Sequence, residues 1–139
     1  MKTMTVSEYR AAAAKQPRRR RGPTPEGEVK KLIDDWLELE QRQGHLDYAR
    51  MNTGAAKIGT QLVRFGIPGM ADFMVRVPRN LQHGLPWGVL WLEVKAPGGK
   101  QNKNQLAFMR RATLGWGDLY LVVESLTGAM DAVEAARRR

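Results

Sequence analysis

No cysteine occurs in the 139-residue chain, which excludes disulfides and thiolate metal sites and fits a reducing cytoplasm. Histidine is scarce as well, and both His45 and His83 fall in polar, loop-like stretches. With no CxxC, HExxH or Ser-His-Asp arrangement in view, any metal has to be held mainly by oxygen. Long apolar runs are missing too. None reaches the roughly 18 residues that span a bilayer, so no membrane partner is expected, and charge stands where a secretory peptide would carry its apolar stretch. The length allows one domain with a proper core plus tails, and is short for two ordinary domains.

Positive charge is plentiful and unevenly spread. Of the net +9, residues 1–23 carry +6: Lys2, Arg10, Lys15 and Arg18 to Arg21 against the single acid Glu8. Such a cluster binds polyanions by releasing counterions, so Arg18 to Arg21 read either as a sequence-indifferent phosphate grip or as a solubilising leader. A short helix from Val6 to Lys15 would have little apolar surface and be marginal alone. Gly22 and Pro23 close the leader, and the folded part is expected from residue 24 to 139.

Thr24-Pro25 marks a helix start, with threonine as N-cap and proline at the first helical position. Val29, Leu32, Ile33, Trp36 and Leu37 repeat at helical spacing, giving a helix from about 25 to 42. Glu26 lies on its core-facing stripe and Glu28 nearer the margin. Acids there are also explained by favourable interaction with the helix N-terminus. Tyr48 to Asn52 reads as a brief strand, and the basic segment through Lys57, Gly59 and Arg64 as a hairpin arm or a loop. Met70 to Val77 and Trp87 to Lys95 read as two strands joined by a polar connection. A second helix begins near Asn102 and stops before Gly115, Leu119 to Val123 is a last apolar strand, and Asp131 to Arg138 a terminal helix. The order helix, three strands, helix, strand describes an α/β sandwich on a mixed sheet of about four strands, closed by a right-handed crossover.

Within this frame Asp72 and the Leu92-Glu93-Val94-Lys95 run stand out. Alternation along a strand puts Glu93 and Lys95 on one side. If the Asp72 strand lies alongside, two carboxylates and an ammonium meet at one spot, a set suited to a hard cation and a phosphate. A solvated edge with a local ion pair would explain a lone Glu-x-Lys equally well. Here, however, Trp87, Val89, Leu90, Trp91, Leu92 and Val94 surround the charges with an apolar run typical of a strand buried on both faces. Charges placed there need partners or a task. Asn102-x-x-Gln105 also fits a capping box.

Taken together, Glu26, Arg50-Met51-Asn52 with Gly54, Gly66-Ile67-Pro68-Gly69-Met70-Ala71-Asp72, Leu92 to Lys95, Gly99-Lys100 and Gln105 resemble the VRR-NUC branch of the PD-(D/E)XK nucleases, over Glu26 to about Ser125. Met70-Ala71 departs from the small or β-branched residues more usual before the aspartate. The resemblance implies a restriction-endonuclease-like αβββαβ core and phosphodiester hydrolysis with Mg²⁺ or Mn²⁺. Asp72 and Glu93, helped by the Val94 carbonyl, would hold the metal, and Lys95 would orient water or stabilise transition-state charge. Glu26 would complete the acidic cluster, with Glu28 as the substitute if the register shifts, and Gln105 would position water or the lysine. Arg50, Asn52, Lys57, Arg64, Lys100 and Lys103, with Arg110 and Arg111, are candidates for the DNA-facing surface. Stand-alone members are associated with homodimers, branched DNA such as Holliday junctions, and phage or mobile-element genomes, which would place the protein in a host cytoplasm. A non-catalytic DNA-binding module on the same fold is the competing expectation.

Overall fold

The computed structural model describes residues 24–51, 53–78 and 87–139. The basic leader, Asn52, His83 and the 79–86 connection therefore lie outside the described residues. Helix α1 spans Pro25–Arg42, and Thr24 caps it by accepting the Gly27 amide at 3.1 Å. Then come β1 (Asp47–Arg50), β2 (Gly54–Ile58), β3 (Gln61–Phe65), β4 (Phe73–Pro78) and β5 (Trp87–Val94). Helix α2 (Lys103–Arg110) runs into a wider turn at Arg111–Gly115, followed by β6 (Leu119–Val123) and α3 (Leu126–Arg138).

Four strands form one mixed sheet in the order β1-β4-β5-β6, with β5 and β6 parallel and the other pairs antiparallel. The parallel pair is bridged by α2, the crossover that such a pair needs. Between β1 and β4, β2 and β3 pair only with each other. The basic segment is thus a hairpin arm rather than a loop.

Alternation on β5 sorts the interior into two layers. Leu90, Leu92 and Val94 face α1 and α3, meeting Ile33, Leu37, Phe73, Val75, Val77, Ala129 and Val133. On the other face Trp91 packs with Ala71, Phe108, Ala112 and Tyr120 beneath α2. Trp91 and Phe108 meet edge to face at 5.0 Å between ring centres, an arrangement favoured by the aromatic quadrupole. Burying one such phenyl or leucine contributes about 1.5–3 kcal/mol, and the two layers enclose β5 from Leu90 to Val94. Ala71, the departure noted in the sequence, is fully buried in the second layer, where a larger side chain would meet the Trp91–Phe108 cluster.

Two boundaries differ from the sequence reading. The Asp72 strand begins at Phe73 rather than Met70, because Gly69 takes a φ of +77° and the chain straightens only after that turn; Asp72 sits at the strand's mouth. The last helix starts at Leu126, five residues before Asp131. Ser125 caps it through the Gly128 amide at 3.0 Å, and burial of Ala129 and Ala132 compensates for a poor helix former at Gly128.

Candidate active site

Phe73 pairs with Leu92 across the antiparallel β4–β5 ladder, so the next step outward sets Asp72 against Glu93. The Asp72 carboxylate turns back onto β5, its Oδ2 accepting the Val94 amide at 2.8 Å. Its own carbonyl accepts the Met51 amide at 2.8 Å, tying the residue to the end of β1 as well. The backbone therefore fixes Asp72 from two sides. Val94 contributes its N–H to this anchoring, whereas the sequence resemblance assigns a task to its carbonyl.

Glu93 and Lys95 share one side of β5, as alternation requires, and both are buried at 2% and 9% exposure. Lys95 Nζ lies 3.2 Å from Glu93 Oε1, and the same oxygen accepts Gln105 Nε2 at 2.8 Å. The other carboxylate oxygen, Glu93 Oε2, is buried with no hydrogen-bond partner among the described residues. A buried, unpaired carboxylate oxygen is costly unless the group takes up a proton or a cation. Burial, and next the neighbouring Asp72 charge, push the Glu93 pKa from 4.5 up to about 7, against the opposing pull of Lys95 and Lys30. The Tyr120 phenol on the same face is also held above its usual value, first by burial and then by Glu93.

Gln105 forms the capping box that its sequence position suggests. Asn102 accepts its amide at 2.9 Å while Gln105 Oε1 accepts the Asn102 amide at 2.9 Å, closing a capping box. That grip leaves Nε2 free to donate to Glu93. Asp72, Glu93, Lys95 and Gln105 thus meet in one place.

Glu26 does not join them directly. It is partly exposed and its Oε1 lies 4.0 Å from Lys30 Nζ, which in turn stands 2.7 Å from Asp72 Oδ1. Glu28 is exposed. Sequence reasoning passed over Lys30 altogether, although a signal existed: Lys30 falls on the stripe of Glu26, Ile33 and Leu37, at steps of four, three and four. A lysine on a core-facing stripe calls for a partner.

Among the surface candidates, Arg50 is exposed at the end of β1 and reaches Asp34 at 3.5 Å. Lys57 pairs with Leu62 and Arg64 with Ala55, so alternation sets both cations on one face of the hairpin. Exposed Lys100 and Lys103 flank the Asn102 cap. Arg50 ends the strand whose following Met51 amide bonds the Asp72 carbonyl, and Lys100 and Lys103 lie at the start of α2, while Lys57 and Arg64 stand on the separate hairpin and Asn52 is outside the described residues.

Helices around the mixed β1-β4-β5-β6 sheet make an α/β fold of the restriction-endonuclease-like kind. The chain shares its fold with a solved structure described as a VRR_NUC domain, at 21% identity and a TM-score of 0.50, over 80% of this chain and 96% of that one. No family model matches the chain, and no curated protein matches it.

The donor set suits a divalent metal of the hard class: two carboxylates at adjacent strand positions, one of them with an orphaned buried oxygen. Among the described residues, no group of three or more His, Cys, Asp or Glu side chains gathers as a metal site. Further ligands would have to come from carbonyl oxygen, water or substrate.

Proposed function

We propose that the chain is a metal-dependent DNA endonuclease that hydrolyses phosphodiester bonds, with Asp72 and Glu93 holding Mg²⁺ or Mn²⁺ beside the Val94 carbonyl. The observation that carries this reading is the buried, partnerless Glu93 Oε2, on a carboxyl group that feels the Asp72 charge beside it. When bound, the ion would neutralise phosphate charge and lower the pKa of a water.

The remaining work falls to the protein. Lys95, kept near Glu93 at 3.2 Å, is a compact cation able to stabilise charge developing on the phosphoryl oxygens, and its burial strengthens that interaction. Gln105 holds Glu93 by one amide hydrogen and keeps the other for water. Glu26 adds negative potential from α1. Arg50, Asn52, Lys57, Arg64, Lys100 and Lys103 grip the nucleic-acid backbone, and the Arg18 to Arg21 cluster adds a sequence-indifferent grip. Symmetric cuts in branched DNA need two such centres, so the chain acts as a two-fold dimer. The folded part from residue 24 to 139 carries the activity, in the cytoplasm of a host cell for a phage-encoded protein.

A second reading, a binding module without chemistry, draws on the absence of a three-acid cluster among the described residues. Labelled four-way, flapped and linear DNA incubated with Mg²⁺, Mn²⁺ or EDTA separates the two. Cleavage is expected with either metal and not in EDTA, strongest on branched substrates. Asp72→Asn and Lys95→Ala are expected to lower the rate by roughly 10²–10³-fold or more while DNA binding by gel shift persists. Undiminished cleavage in both variants would remove the assigned site.

A further inference from the structure

Of the four carboxylate oxygens on Asp72 and Glu93, three are already occupied by protein donors. Asp72 Oδ2 takes the Val94 amide, Glu93 Oε1 takes Lys95 and Gln105, and Asp72 Oδ1 takes the Lys30 ammonium at 2.7 Å. Among the described residues, only Glu93 Oε2 of the four lacks a partner. An ion held by both carboxylates would need that oxygen and one from Asp72. The Val94 amide is backbone and stays with Oδ2. Lys30, on a flexible four-carbon stem, is the donor that can move. An ammonium and a divalent cation repel each other at such short range, so the two compete for Oδ1.

We infer that Lys30 is a resident counter-cation of Asp72 which a divalent ion must displace, and that Glu26 is the carboxylate that receives it. The inference rests on Asp72 and Glu93 as the metal-holding pair. Glu26 lies one helical turn before Lys30, with its Oε1 4.0 Å from Nζ. A small swing of the lysine therefore exchanges one carboxylate for the other without moving the helix. In the metal-free protein Lys30 offsets the repulsion between Asp72 and Glu93, and the same ion pair opposes metal binding. Glu26 becomes a positioning residue that acts through Lys30. This accounts for its place on the stripe and for its distance from the other acids.

The test is Mn²⁺ titration calorimetry on the full chain, with thermal unfolding in EDTA and circular dichroism to verify folding. Lys30→Met, similar in length but uncharged, is expected to bind Mn²⁺ up to about fivefold more tightly than the unaltered protein, the scale for a partly exposed charge pair. It should also unfold at a lower temperature in EDTA. Lys30→Gln repeats the measurement should the methionine variant fail to fold. Glu26→Gln is expected to weaken Mn²⁺ binding in the presence of Lys30 and to have much less effect in the Lys30→Met background, the non-additivity of coupled residues. Unchanged or weaker Mn²⁺ binding by both Lys30 variants overturns the inference, as does an equal effect of Glu26→Gln in both backgrounds. Asp72→Asn separates the two levels. If it binds Mn²⁺ as the unaltered chain does, or if the unaltered chain binds none, the metal-site reading falls and the inference with it. If Asp72→Asn loses binding while Lys30→Met leaves it unchanged, the inference alone falls.

Discussion

Glu93 combines three conditions that rarely coincide in one carboxyl group: a buried side chain, a like charge next door, and one oxygen without a partner. Its folded pKa of about 7 exceeds the ordinary 4.5, so between those values the folded protein binds a proton that the unfolded chain gives up. That stabilisation is complete below pH 4.5 and is lost as pH rises through 7. In EDTA, the unfolding temperature is expected to drop by several degrees across this window, and Glu93→Gln is expected to flatten the drop and raise stability at pH 8. A calorimetric melting series at pH 4.5 to 8 checks both. Because a metal ligand has to shed its proton, Mn²⁺ affinity should change in the opposite sense, strengthening up to about pH 7. At this scale the sequence was informative where periodicity applies. Two-residue alternation set Glu93 and Lys95 on one side, and the apolar residues around them announced burial. Lys30 escaped notice because lysine on a helix is usually solvated. Its importance comes from Asp72, which is remote in sequence and reaches it only when the sheet is folded.

Elements hold these side chains through a few close backbone approaches. Gly69, ahead of Asp72, has a φ of +77° and packs directly on the start of α2, where an added Cβ would overlap the backbone of Asn104 and lie 2.5 Å from the Gln105 nitrogen. The loop that delivers Asp72 and the capping box that delivers Gln105 are thereby joined. Gly69→Ala is expected to cost about 3 kcal/mol or more, since backbone strain adds to an overlap that no side-chain rotation relieves. Gly44 supplies the control: its φ is also +77° but nothing lies within 4 Å, so Gly44→Ala should cost only about 1 kcal/mol. Urea unfolding of the two variants reads the difference, and equal losses of stability would show that the close packing at Gly69 is of no consequence. Element identity was legible wherever a cap coincided with a periodic stripe, as at Thr24 and Asn102. The early start of α3 was less visible, because Ser125 is followed by Thr127 and Gly128, whose weak helix propensity is overridden by burial of Ala129, Ala132 and Val133. The segment after Asn52 left hairpin and loop both open; cross-strand pairing from Gly54↔Phe65 to Ile58↔Gln61 decides for the hairpin.

For the molecule as a whole, the layer order was legible because β5 is apolar on both faces and both helices beside it carry a stripe, a pattern that only a sandwich satisfies. The site depends on that sandwich, since Asp72 comes from the mouth of β4, Glu93 and Lys95 from β5 and its end, Gln105 from α2 and Lys30 from α1. Charge is organised on the same scale. Residues 1–23 hold +6 of the net +9, so most of the net positive charge that would attract a polyanion is carried by that segment of the sequence. Changing Arg18 to Arg21 to glutamine in the full chain removes four cations without touching the site. Each cation that neutralises a phosphate of duplex DNA adds about 0.9 to the steepness with which log K falls against log salt. If all four arginines act in this way, their removal reduces the slope by up to about 3.6, with affinity falling alike on branched and linear DNA. The cleavage rate at saturating protein should remain unchanged if the cluster contributes only to gripping the DNA backbone. Fluorescence anisotropy between about 50 and 200 mM salt, a range over which a protein that neutralises several phosphates weakens by orders of magnitude, measures the slope. An unchanged slope assigns the cluster to solubility and leaves DNA gripping to Arg50, Lys57, Arg64, Lys100 and Lys103.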